Sequence, residues 1–133
     1  MKANELRIGN LFHPCYKKDG ILIPDESTVY QVGYIDLFGN IMAISPLTNS
    51  IAFKPPEYIG VTLTEEWLKR FGFRESGIYW FDSHDELLSY SFKKNTIAIG
   101  RMGIYFENKI HYVHQLQNLY FALTGEDLKI INK

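Results

Sequence analysis

His111-Tyr112-Val113-His114-Gln115-Leu116-Gln117-Asn118-Leu119-Tyr120-Phe121-Ala122-Leu123-Thr124-Gly125 is the stretch whose period decides the reading of this chain. At about 100° per residue, Val113, Leu116, Leu119, Tyr120 and Leu123 fall on one side and Phe121 extends it. Gln117 lies inside that apolar arc, where it either satisfies a buried backbone group or reaches across an interface. Gln115, Asn118 and Ala122 lie opposite. Gly125 stands at the expected C′ position, where glycine takes a positive φ with least strain. The pattern predicts an amphipathic helix laid against a flat apolar surface.

A second helix is signalled upstream by Leu63-Thr64-Glu65-Glu66-Trp67-Leu68-Lys69-Arg70-Phe71-Gly72-Phe73. Thr64 is an N-cap residue, and Glu65 and Glu66 complement the positive end of the helix. Leu63 and Leu68 occupy staple positions, and Gly72 ends the run with Phe73 folding back. Between the helices, Ile78–Phe81, Leu88–Phe92, Thr96–Ile99 and Ile104–Phe106 have strand composition, with Lys93-Lys94-Asn95 as a turn. Helix, three or four antiparallel strands, helix is an α+β arrangement. It predicts that Trp67, Leu68, Phe71, Leu116, Tyr120 and Leu123 are buried together.

The first sixty residues show no helical period. Arg7–Phe12, Thr28–Asp36, Ile41–Ile44 and Ser50–Lys54 read as short strands, and Phe38-Gly39-Asn40 as a hairpin turn. Asp19-Gly20 and Pro24-Asp25-Glu26-Ser27 read as surface loop. Pro55-Pro56 marks a boundary. The expected class is thus α+β, with a small all-β N-terminal module (a curled sheet or barrel, residues 1–60) and a helix–sheet–helix module (residues 61–133), packed as one unit.

Fourteen basic and 15 acidic residues leave a net charge of −1. The two halves are equally balanced, so the basic footprint of backbone-driven nucleic-acid binding is missing. Hydrophobic residues make up 46% of the chain, enough for a core. Cys15 is the single cysteine, which excludes an internal disulfide and a thiol-rich metal site. Neither a secretion signal nor a membrane-spanning run is visible, so a cytoplasmic protein is expected.

Leu6-Arg7-Ile8-Gly9-Asn10, Leu63–Leu68 with Phe71-Gly72-Phe73, and Tyr112–Glu126 together resemble a family of small uncharacterised proteins of Bacteroides-type gut bacteria, their phages and mobile elements. The resemblance implies a bacterial or phage origin and a cytoplasmic location. It carries no activity, cofactor or catalytic residue.

Chemistry-bearing clusters are sparse. His111 and His114 stand three apart, a spacing that lets two ligands share a metal on one helix face. A third ligand would come from His84, Asp82, Asp85 or Glu86, in a cluster that otherwise reads as a solvated hairpin loop. His13 and Cys15 flank Pro14, a poor geometry for a base and its nucleophile. Gly100-Arg101-Met102-Gly103 is too short for a phosphate loop. No catalytic residue and no cofactor is expected. Aromatic residues crowd the second half, and strand alternation sends Tyr79 and Phe81 to the face opposite Trp80.

These observations favour a non-enzymatic protein-binding or adaptor protein of a phage or mobile element. Its partner is an unknown protein or a second copy, and no membrane is involved. Its expected surface comprises Tyr79, Phe81, Tyr90 and Tyr105, with Gln115 and Asn118. One alternative is a nucleic-acid accessory factor using Lys93, Lys94 and Arg101. Another is a metal-dependent hydrolase using His111, His114 and the loop from Asp82 to Glu86.

Overall fold

A computed structural model describes residues 6–35, 41–44, 51–53, 57–82, 87–99, 105–107 and 109–131. In chain order, its elements are β1 (Leu11–Lys18), β2 (Ile21–Pro24), β3 (Tyr30–Ile35), β4 (Ile41–Ile44), β5 (Ile51–Phe53) and β6 (Glu57–Gly60). They continue with α1 (Glu65–Arg70), β7 (Arg74–Ser76), β8 (Tyr79–Phe81), β9 (Leu88–Ser91), β10 (Thr96–Ile99), β11 (Tyr105–Glu107) and α2 (Val113–Thr124). The chain divides into two compact units. The first comprises residues 1–62 and 112–127, and the second residues 63–111 and 128–133.

The first unit holds a six-stranded antiparallel sheet built around β1. β1 pairs with β3 through Leu11 and Phe12, with β6 through Phe12–Cys15, and with β2 through Cys15–Lys18. Its two halves have different fates: Leu11, Phe12, Pro14 and Cys15 are buried, whereas Tyr16, Lys17 and Lys18 are exposed. Phe12 anchors a core with Leu6, Val32, Ile41 and Ala43, and its ring meets Tyr58 edge-on at 5.8 Å. α2 belongs to this unit and buries Val113, Leu116, Gln117 and Tyr120, an i, i+3, i+4, i+7 stripe. Leu123 and Phe121 are exposed, so the buried stripe is shorter than the apolar period of the sequence.

The second unit is a five-stranded antiparallel meander in the order β11-β10-β9-β8-β7. β9 lies at its centre and all four of its residues are buried. Trp80 is buried while Tyr79 and Phe81 stay half-buried, as period-two alternation requires. α1 is capped by the Thr64 hydroxyl, which accepts from the Trp67 N–H at 3.4 Å. It stops in a Schellman turn: Phe73 N–H donates to the Leu68 carbonyl and Gly72 N–H to that of Lys69, with Gly72 at φ 85°. α1 thus spans Glu65–Arg70, its ends set by the Thr64, Gly72 and Phe73 signals read from the sequence.

The expected fold class is therefore corrected. The chain is mostly β, with two antiparallel sheets, one helix longer than seven residues and no closed barrel among the described residues. The helix–sheet–helix module is not formed as a unit, because α2 joins the first unit's strands while α1 and the meander make the second. Trp67, Leu68 and Phe71 thus belong to one unit and Leu116 and Tyr120 to the other. The physical reason lies in Gln117. It carries polar atoms into the apolar stripe and finds its partners at the start of β1, which a period count cannot register. The expected turn at 38–40, the boundary at 55–56 and the glycine pair at 100–103 fall outside the described residues.

Candidate functional site

Polar residues of α2 fasten the N-terminal loop. Gln117 Oε1 accepts from the Leu11 N–H at 2.9 Å, and Nε2 donates to the Gly9 carbonyl at 3.2 Å. Asn118 Oδ1 accepts from Asn10 Nδ2 at 3.0 Å and from the Arg7 guanidinium at 3.2 Å. That guanidinium also pairs with Asp127 at 3.1 Å and lies over the Phe121 ring, 3.8 Å from its centroid. Gln115 caps the helix by accepting from the Tyr112 N–H at 3.0 Å. The N-terminal loop, residues 7–11, and α2 are thereby held together. Of the two α2 residues expected at a partner surface, Asn118 ties down the N-terminal loop and Gln115 caps its own helix.

The remaining expected residues scatter. Tyr90 is buried, and its hydroxyl donates to the Ile110 carbonyl at 2.7 Å. Tyr79 and Phe81 stand side by side on β8, with ring centroids 6.3 Å apart. The backbone of Tyr105 lies on β11. Lys93 and Lys94 are exposed at the β9–β10 turn, and Arg101 lies outside the described residues. His111 precedes α2 rather than lying on it, so the two histidines do not share a helix face. His114 is buried with its ring stacked on Tyr112 at 5.8 Å. Buried Asp82 accepts from the Leu88 N–H at 2.9 Å and so braces the start of β9. His84 lies outside the described residues, and no group of three His, Cys, Asp or Glu side chains positioned for a metal exists among those described. His13 Nδ1 donates to the Thr28 carbonyl at 2.9 Å.

The surface that stands out is one the sequence reading passed over. Asp19 and Gly20 both have positive φ, 53° and 79°, which makes a type I′ turn and pairs Lys18 directly with Ile21. The hairpin leaves the core as an arm. On it Ile21 is 65% exposed, Tyr16 48% and Leu22 43%, three large apolar groups within seven residues. β2 ends the strand order of its sheet, so its outer edge is open among the described residues. Lys17 and Lys18 flank these groups. The ion pairs among the described residues, Arg7 with Asp127 and Glu66 with Arg70, involve neither lysine.

Where β2 gives way to β3 the chain loops out, and a pocket of about 420 Å³ opens at the base of the arm, lined by Pro14, Cys15, Tyr16, Lys17, Asp25, Thr28 and Tyr30. Its size falls in the ordinary range for a ligand or side-chain site. Asp25 in this loop is already engaged: the Ser27 and Thr28 hydroxyls donate to its carboxylate and, Ser27 foremost, hold its pKa below the usual carboxylate range. It is thereby kept ionised, so the pocket's lining carries one negative charge, on Asp25, as well as the positive charge of Lys17. The Asp-Gly pair followed by Ile21-Leu22-Ile23 is the sequence signal for this arm.

A second depression, of about 530 Å³, is lined by Glu26, Gly60, Thr62, Tyr112, His114 and Gln115. A Cβ at Gly60 would lie 2.8 Å from the Tyr112 ring, so glycine lets that ring rest on the strand. Its fields oppose each other: the Glu26 carboxylate attracts cations, and the first turn of α2 attracts anions.

No protein-family model, characterised protein or solved structure matches the chain.

Proposed function

We propose that this chain is a non-enzymatic protein-binding module that docks a partner through the β1–β2 arm. The observation that supports it is the exposure of Tyr16 and Ile21 on one face of the hairpin and of Leu22 on the other, beside an open sheet edge. Full burial of a side chain such as Ile or Leu contributes about 1.5–3 kcal/mol, so a partner covering Tyr16 and Ile21 on their shared face gains a substantial part of a binding energy. Grouped exposed apolar residues on an unpaired edge are a liability unless something covers them. In keeping with the family resemblance, the module serves a bacterium, phage or mobile element in the cytoplasm, as an adaptor.

The test compares affinity capture by the wild-type chain and by an Ile21→Asp, Leu22→Asp double variant, after nuclease treatment. Circular dichroism checks that both are folded. The reading expects a stoichiometric protein partner with the wild type and its loss with the variant. Equal recovery by both would place the docking surface elsewhere.

A further inference from the structure

We draw no further inference here: the strongest candidate, the depression of about 530 Å³ at the start of α2 between Glu26, Thr62, Tyr112 and His114, rests on a helix N-terminus and one exposed carboxylate, with no second observation that points to a ligand.

Discussion

At the scale of single residues, Gln117 carries more of the fold than its type suggests. It is buried in the apolar stripe of α2 and meets both an N–H and a C=O of the segment leading into β1. A Gln117→Leu substitution keeps the bulk and strands both backbone groups, so it should destabilise by about 1–3 kcal/mol in urea unfolding. Arg7→Ala should cost less, because its contact with Asp127 is solvent-exposed and such pairs contribute about 0–1 kcal/mol. The sequence left Gln117 with two readings, a buried backbone partner or an interface, and only the fold could choose between them. Asp25 gives a pH-dependent prediction. Its pKa is depressed by hydroxyl donors, so the stabilisation it adds to the 25–28 loop is present above its ordinary value of 3.8 and is lost as pH falls through the lower folded value. A carboxyl ¹³C titration should find the Asp25 midpoint below 3.8; a midpoint at or above it would contradict the hydroxyl contacts.

At the scale of elements, local chemistry was readable wherever it was self-contained. Thr64, Gly72 and Phe73 fix both ends of α1, and Lys93-Lys94-Asn95 turns β9 into β10, with Asn95 at φ 52°. Those signals involve neighbours in sequence and need no tertiary partner. The β1–β2 arm was missed although Asp19-Gly20 announces it, because Ile21–Pro24 is short, has no polar alternation and ends in proline. Gly20 is the residue on which the arm turns. Gly20→Ala places a Cβ in the left-handed region, a strain of about 1–2 kcal/mol. Nothing lies within 4 Å of that Cβ, so strain alone is at issue. The account expects faster amide exchange at Lys18 and Ile21 in this variant while the Phe12 core stays protected. Loss of protection throughout the first unit would show that the arm is not locally independent.

At the scale of the whole chain, the first unit is discontinuous. Its strands occupy residues 1–62 and its helix arrives only at 112–127, after the whole second sheet has been made. Pattern reading assigns a helix to its sequence neighbours, and long-range hydrogen bonds such as Leu11 to Gln117 leave no local trace. That is why the elements were largely legible and their grouping was not. The candidate site escaped for a related reason: exposure of Ile21 and Leu22 is a property of the sheet's edge and not of their types. A chain truncated after His111 should fail to protect the Leu11 amide and lose the cooperative unfolding of the first unit, despite keeping all six of its strands. Retention of that protection would mean that α2 is dispensable to the sheet.

The central claim is that the β1–β2 arm meets a partner protein. Its most direct measurement is site-specific photo-crosslinking in native cells, with a photoreactive amino acid at Leu22 in one variant and at Phe92, an exposed aromatic of the second unit, in another. The account predicts one discrete protein adduct from position 22 and none from position 92. An adduct from position 92 alone, or none from either, would contradict it.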